Sequence, residues 1–268
     1  MPSILDPILN HVPAWLLVLF RISGIFIIAP MFGSATIPAR IRVMLALGLS
    51  ICVYPMLLSP GRPSVAMIEP VLTNGLSLWS LGGAVGMELM LGVVIGYGAT
   101  LPIMGLQIAG NVADQQLGMG LGGLFNPELQ EQGGIVSEFF FIIAMMIFII
   151  IGGHRVLLSI LVGSFNDVPL GGFTPDGRML DMILALLASM FDLGLRVAAP
   201  LLCLVFLESV AMGFIARTVP QLNIMSVGFP LRILVGGGLL VVSTATIAHA
   251  YAEEVRRALR HLGIYFGM

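Results

Sequence analysis

The stretch that decides the fold reads QIAGNVADQQLGMGLGGLFNPELQEQGGIVSE, residues 107–138, where the long apolar runs on both sides of it are interrupted. Six glycines fall between Gly118 and Gly134, and Asn126-Pro127 adds a further breaker. Because glycine and Asn-Pro punctuate a chain strongly, the sequence predicts a loop over residues 117–134. This loop is unusually apolar, since it carries the side chains of Leu117, Met119, Leu121, Leu124 and Phe125.

One motif inside the loop suggests a nucleotide site. Gly118, Gly120 and Gly123 spell G-x-G-x-x-G, which indicates dinucleotide binding only where it joins a strand to a helix in a βαβ unit. The segment before it is membrane-like and no such unit follows, so we do not expect a nucleotide site. Two interpretations of the loop stay open: a flexible connector at the surface, or a glycine-rich apolar loop that fills and vacates a pore.

The composition of the chain is that of a membrane protein. Of its 268 residues, 58% are hydrophobic and 10% are charged, and the mean hydropathy is +1.04. A soluble domain carries roughly 25% charged residues, so we expect this chain in a membrane or a membrane complex. The net charge of −2 gives no argument for nucleic acid as a partner.

About six apolar regions follow one another along the chain, which predicts an all-α fold. They cover residues 14–32, 43–59, 70–113, 135–165, 179–219 and 233–252. The third region carries small residues at four-residue spacing, Gly82/Gly86 and Gly92/Gly96, and this spacing should let helices approach closely.

Charged residues interrupt the second half of the chain repeatedly. Between Glu138 and Arg232, no run free of charged and histidine residues exceeds fifteen residues. A helix in lipid needs about 20 mostly apolar residues, and charges within such helices rarely face lipid. We therefore expect most helices to pack on protein, including other subunits.

Six charged residues are expected to form buried pairs. Asp192 and Arg196 are four residues apart with the acid first, which is the better order for an ion pair on one helix. Neither Glu88 nor Glu208 has a partner within four residues, so each should meet an arginine of another helix or chain. The full set is Arg21, Glu88, Asp192, Arg196, Glu208 and Arg217.

No catalytic or metal-binding pattern stands out. The four histidines are scattered, and H-E-x-x-H, C-x-x-C and G-x-S-x-G do not occur. Cys52 and Cys203 lie alone in apolar runs and are expected to be packing residues. His154 could respond to protons, although a polar helix end explains His154-Arg155 as well. We expect no enzyme, no cofactor and no metal.

Five stretches of the chain form a recognisable pattern: RISGIFIIAPMFG with IPARIRVMLALGLS, GMELMLGVVIG around Glu88, AGNVADQQLGMG, FIIIGGHRVLLSILVGSFNDVPLG, and RVAAPLLCLVFLESVAMGFIARTVPQLNIMSVGFPLRILVG. In these stretches the chain resembles the FliR flagellar export-apparatus proteins, and the resemblance covers nearly the whole chain. The most specific piece is R-T-V-P-Q-L-N, residues 217–223. The loop departs from the family in reading Asn126-Pro127, where members often carry Asp-Pro, and in its higher glycine content.

The resemblance implies a core subunit of the type III export gate, in which one FliR copy joins several copies of FliP and FliQ. Residues 1–175 would be FliP-like and include the loop 117–134, and residues 176–268 would be FliQ-like with a basic C-terminal tail. The helices would form bent hairpins. FlhB would wrap the cytoplasmic entrance, and unfolded flagellar proteins would be the substrate.

The resemblance also gives the central loop a role. It would help to plug the closed channel, and the residues expected to form the plug are Leu117, Gly118, Met119, Gly120, Leu121, Gly122, Gly123, Leu124 and Phe125.

The chain is expected to be a multi-pass protein of the bacterial inner membrane, within the flagellar basal body. Arg256, Arg257 and Arg260 make the C-terminal tail basic, so the positive-inside rule places the C-terminus in the cytoplasm. Two alternatives stay open. The equivalent SctT subunit of a virulence injectisome shares this architecture. A small-solute transporter would show internal repeats with broken helices, and no convincing repeat relates the two halves.

Overall fold

The computed structural model describes residues 6–33, 37–59, 78–119, 134–219 and 224–266. Across these ranges the regular secondary structure is helical throughout, which confirms the predicted all-α membrane fold. The helices are α1 (Asp6–Ile28), α2 (Ala39–Leu57), α3 (Leu78–Leu117), α4 (Ile135–Ile150), α5 (Gly153–Asp167), α6 (Gly177–Thr218) and α7 (Ile224–Tyr265).

Most of these helices are long and apolar enough to cross a membrane. Among the described residues α1, α2, α3, α6 and α7 pass this criterion singly, and α4 and α5 pass it as a pair. Helices α3, α6 and α7 have 40, 42 and 42 residues, about twice the length that a bilayer requires. The structure therefore carries more helix than simple spans would need.

The fourth apolar region is broken where the sequence suggested one continuous run. Helix α4 ends at Ile150 and α5 begins at Gly153. Gly152 has a φ of 73°, a left-handed conformation that glycine adopts without the strain of a Cβ. Its carbonyl oxygen then accepts hydrogen bonds from the N–H groups of Arg155 and Val156 at 2.9 and 3.2 Å, which starts α5.

The chain forms two compact units that do not follow its linear order. The first consists of Met1–Thr100, Gly152–Leu186 and Arg256–Met268, and the second of Leu101–Ile151 and Leu187–Val255. We call them unit 1 and unit 2. The expected division at residue 175 separates a FliP-like part from a FliQ-like part. It is based on likeness to other proteins rather than on compact units, and it stays a prediction.

In unit 1, α1 and the first part of α3 touch backbone to backbone. A Cβ on Gly24 would overlap the carbonyl oxygen of Leu89, and a Cβ on Gly92 would overlap that of Arg21. A Cβ on Gly96 would lie 3.2 Å from the Ala29 nitrogen. The close approach expected of Gly92 and Gly96 is thus confirmed. The earlier pair, Gly82 and Gly86, faces open space where a side chain would go.

In unit 2, small residues again permit close packing. Gly110 lies against the backbone of Ser137, and a Cβ added there would be 2.5 Å from the Ser137 Cα. Gly105 lies against the Met190 carbonyl oxygen, and a Cβ added there would be 2.7 Å from that oxygen. Glycines therefore set how closely the second part of α3 approaches α4 and α6 within this unit.

Helices α6 and α7 leave most of their surface uncovered. In one apolar 18-residue window of each span, 22% of the residues are buried in Gly177–Thr218 and 11% in Ser226–Tyr265, against 67% in Trp79–Leu117 of α3. Large side chains such as Phe206, Phe214 and Val242 are exposed. Such a surface needs lipid or another protein to cover it.

Candidate functional site

Arg21 of α1 is fully buried, and each of its five N–H donors has an acceptor. Its Nε and Nη2 reach the two carboxylate oxygens of Glu88 at 2.5 and 3.0 Å. Its Nη1 donates to the carbonyl oxygen and the hydroxyl of Ser164 at 3.0 and 3.2 Å, and Nη2 also donates to the Val168 carbonyl oxygen at 3.3 Å. A guanidinium has five donors in a planar fork, so its hydrogen-bonding capacity is fully used.

Glu88 of α3 is also fully buried and has a second type of partner. Besides the arginine, its Oε1 accepts the N–H of Gly171 at 2.8 Å. The guanidinium carbon of Arg21 lies 4.3 Å from the centre of the Phe165 ring, close enough for a cation–π contact. A buried ion pair repays its desolvation only when further hydrogen bonds satisfy both groups, and this pair has them.

The Arg21–Glu88 cluster joins four parts of unit 1: α1, α3, α5 and the connector after α5. The sequence led us to expect a cross-helix partner for each of these two residues, and the structure places them against one another. Backbone groups of Ser164, Val168 and Gly171 also bond to the pair. The sequence did not point to these three residues, because nearly every residue type has the same backbone N–H and carbonyl groups.

The connector between α5 and α6 is held at its other end by Asp176. The Asp176 Oδ1 accepts the Tyr265 hydroxyl at 2.8 Å and the Met179 N–H at 2.9 Å, and Oδ2 lies 3.0 Å from Nε of Arg178. The hydrogen bond from Tyr265, followed by that from Met179, lowers the pKa of Asp176 below its usual value. A cleft of about 790 Å³ lies beside this connector.

Asp114 of α3 caps the N-terminus of α4 in unit 2. It is 3% exposed, and its Oδ1 and Oδ2 accept the N–H groups of Val136 and Ser137 at 3.0 and 2.9 Å. These two N–H groups have no acceptor inside a helix. Gly134 completes the contact, since a Cβ there would overlap the carboxylate. The predicted loop therefore ends at a fixed point.

The start of the predicted loop is held as well. Leu117, the last residue of α3, is fully buried and packs on Gly236. A Cβ added at Gly236 would overlap the Leu117 side chain. Gly118 has a φ of 75° and lies against the Phe229 ring, and Met119 is half-buried. The remaining expected plug residues, Gly120, Leu121, Gly122, Gly123, Leu124 and Phe125, lie outside the described residues.

Glu208 of α6, whose side chain is 8% exposed, meets Arg232 of α7. The Arg232 Nε and Nη2 donate to Glu208 Oε2 at 3.0 and 2.9 Å, and Nη2 also donates to the Ser209 hydroxyl at 2.9 Å. Arg232 was not among the residues singled out from the sequence, because the pair forms only when the two helices lie side by side.

The other expected charges lie on the surface of this chain. Asp192 and Arg196 form the expected ion pair at 2.6 Å, but their side chains are 59% and 64% exposed. Arg217 is exposed, and no ion pair joins it to another described residue. On this chain, burial of these three would require a neighbouring molecule.

Cysteines and histidines add no further site in the described part of the chain. Cys52 and Cys203 are free and exposed, so the expectation that they are packing residues is not met within this chain. His154 is half-buried. Nowhere in the described ranges do three or more candidate metal ligands come together.

Residues 12–258 match the family of bacterial export proteins, family 1. The chain belongs to this family. The flagellar biosynthetic protein FliR of Bacillus subtilis (strain 168) is 29% identical over 246 residues, which cover 91% of this chain and 90% of that protein.

Two further relatives widen the comparison. FliR of Escherichia coli (strain K12) is 25% identical over 239 residues, covering 88% and 87% of the two chains. The Yop proteins translocation protein T of Yersinia pestis is 27% identical over 242 residues, covering 89% and 88%. The resemblance to FliR is confirmed. The chain is a type III export-apparatus subunit, a multi-pass membrane protein of a family that is structural rather than enzymatic.

Proposed function

We propose that the chain is a core subunit of the flagellar type III export gate. Together with FliP and FliQ it forms the channel through which unfolded flagellar proteins leave the cytoplasm, and FlhB binds at the cytoplasmic entrance. The observation that carries this proposal is the match to FliR proteins along about nine-tenths of both chains. In this proposal residues 1–175 correspond to FliP and residues 176–268 to FliQ.

Physical features of the chain support an assembly rather than a lone bundle. The two long helices α6 and α7 leave most of their apolar surface uncovered, and Asp192, Arg196 and Arg217 are exposed on α6. Charges within a membrane span are expected to face protein or water rather than lipid. Neighbouring subunits would bury this surface.

The central loop is proposed as the plug of the closed channel. The Asp114 cap and buried Leu117 fix the two points between which it runs. Its apolar residues could close a narrow pore by excluding water, as hydrophobic constrictions in channels do. Its glycines give the backbone the freedom to move aside for a substrate.

A virulence injectisome subunit is the second candidate, because the Yersinia translocation protein T matches over a similar length. We favour the flagellar branch, with the protein in the inner membrane and its C-terminus in the cytoplasm. The basic residues Arg256, Arg257 and Arg260 support that orientation.

The proposal is tested by deleting the gene and restoring it on a plasmid. We expect the deletion strain to be non-motile and to stop releasing hook and filament proteins into the medium, with both restored by the plasmid. Normal motility together with a loss of secreted virulence proteins would assign the chain to an injectisome instead.

A further inference from the structure

A groove between α6 and α7 in unit 2 carries a buried acceptor without a donor. Its volume is about 350 Å³, and its lining is apolar, including Leu207, Ala211, Met212 and Ile215, with Glu208 as the exception. The Glu208 side chain is 8% exposed, and among the described residues nothing donates a hydrogen bond to its Oε1. We call this feature the Glu208 groove.

Arg232 satisfies only one of the two carboxylate oxygens. Its Nε and Nη2 both donate to Oε2. Oε1 instead lies beside Gly228, where a Cβ would be 3.8 Å from Oε1 and 3.3 Å from the terminal methyl of Met212. A buried acceptor without a donor costs free energy. Met212 also lines the groove, so its flexible side chain lies where the groove and the unpaired oxygen meet.

The chemistry of the groove limits what can occupy it. A trapped water needs two to four polar partners, whereas this apolar lining offers one. A lipid chain would fill the apolar volume but has no donor. A lysine or arginine would add an unbalanced positive charge inside a membrane span, because Arg232 already balances Glu208. An uncharged hydroxyl on an otherwise apolar side chain satisfies both the apolar lining and the oxygen.

We propose that the Glu208 groove receives a membrane helix of a neighbouring export-apparatus subunit, which inserts a serine, threonine or tyrosine side chain. Its hydroxyl displaces the Met212 methyl and donates to Glu208 Oε1. Hydroxyl side chains commonly bond across helices in membranes. The proposal rests on membership of an export complex and does not depend on the neighbour being FliP or FliQ.

Photo-crosslinking in the assembled complex locates the neighbour. A benzophenone amino acid replaces Phe214, an exposed aromatic residue next to the groove residue Ile215 on α6, so that the groove itself stays open. The complex is irradiated in cells and purified, and the attachment site is read by mass spectrometry. We expect a crosslink to a neighbouring subunit within one helical turn of a serine, threonine or tyrosine. The matched control replaces Ala188, an exposed alanine of the same helix outside the groove, and should give a different attachment site. Crosslinks at residue 214 to lipid alone would overturn the proposal.

Two variants test the bond and the groove separately. Glu208→Gln keeps an oxygen for Arg232 but can place an amide donor where the hydroxyl must be accepted. Ala211→Phe fills the groove and leaves the ion pair intact, so it keeps the test valid if the first variant folds poorly. For both we expect the amount of the crosslinked neighbour in the purified complex to fall about tenfold, whereas Ala188→Phe should retain it.

The last variant concerns the hydroxyl group of the neighbouring subunit. Its removal by Ser→Ala, Thr→Val or Tyr→Phe should cause the same loss as Glu208→Gln, and the double variant should lose no more than either single one, because coupled residues are not additive. Additive losses, or a wild-type level of the neighbour in both groove variants, would overturn the proposal. If the crosslinked neighbour is an export-apparatus subunit other than FliP, FliQ or FlhB, the groove proposal stands and the proposed function fails.

Discussion

At the scale of single residues, the Arg21–Glu88 cluster is the best-defined polar feature of unit 1. Both side chains are fully buried, and backbone groups of Ser164, Val168 and Gly171 complete their hydrogen bonds. The cluster therefore holds the connector after α5 in place, as well as joining α1 to α3. Removing one member would leave the other charged group buried without its partner.

Glu88→Ala should reduce the yield of assembled complex strongly, and Glu88→Gln should reduce it less because the amide keeps one acceptor. Breaking a buried pair typically costs about 3–5 kcal/mol. The yield is measured by gel filtration of the tagged complex. Glu253→Gln is the control, since that side chain is 60% exposed beside His249 and exposed pairs contribute about 0–1 kcal/mol. Unchanged assembly in both Glu88 variants would show that the cluster is dispensable.

Gly92→Ala should destabilise unit 1, because its Cβ would overlap the Arg21 carbonyl oxygen. Overpacking costs about 1–3 kcal/mol, and here the clash is with backbone that cannot rotate away. Gly86→Ala on the same helix is the matched control, since nothing lies within 4 Å of its Cβ position. It should be neutral or stabilising by up to about 1 kcal/mol through helix propensity. Equal thermal stability of the two variants in the purified complex would contradict the close contact.

At this scale, the sequence predicts that a buried charge requires a counter-charge, but it rarely identifies the residue that supplies it. An arginine and a glutamate in apolar runs each require a counter-charge, so a cross-helix pair could be expected for Arg21 and Glu88. The partner of Glu208 could not be identified, because Arg232 lies 24 residues away on the next helix and register between helices depends on packing. The exposed Asp192 and Arg196 were expected to be buried, since a single chain does not show which helix faces its neighbours cover.

At the scale of elements, the central loop is defined by how its two ends are held. The predicted loop, residues 117–134, agrees with the end of α3 at Leu117 and the start of α4 at Ile135. Glycine and Asn-Pro made this boundary predictable. The break at Gly152 was not predicted, because the apolar run continues through it and only the backbone conformation ends the helix.

Asp114→Ala should loosen the N-terminus of α4, because the N–H groups of Val136 and Ser137 lose their acceptors. Loss of a helix cap costs about 0.5–2 kcal/mol, which corresponds to amide exchange about 2- to 30-fold faster. Hydrogen–deuterium exchange on the purified complex measures this at residues 136–137. Gln115→Ala, at the exposed neighbouring position, is the control and should leave the exchange rates as they are. Equal protection in the Asp114 variant would mean that the cap does not hold α4.

Replacing Met119, Leu121 and Phe125 by Ser should raise the ion leak across the inner membrane of cells that make the whole gate. Water would enter a constriction that apolar side chains keep dry. Deletion of residues 118–123 should also raise the ion leak. Because Gly118 packs on Phe229, the deletion disturbs the described fold more than the serine variant does. Membrane potential and conductance are measured together with the amount of assembled gate. Normal assembly without additional leak would rule out the plug.

At the scale of the whole molecule, the exposed apolar surface indicates that neighbouring proteins cover part of this chain. Among the spans, α3 is well buried, whereas α6 and α7 keep most of their residues uncovered. The composition made membrane residence predictable, and the charges of the second half suggested protein neighbours. Which helices contact those neighbours could not be predicted, because lipid-facing and subunit-facing apolar residues have the same chemistry.

The most direct test of the central claim is the mass and composition of the complex that co-purifies with the tagged chain in mild detergent. The account predicts a particle much larger than the 28.5 kDa chain, containing FliP and FliQ, and a chain that aggregates or unfolds without cooperativity when it is expressed alone. A monodisperse monomer with a cooperative thermal transition and no FliP or FliQ bound would contradict it.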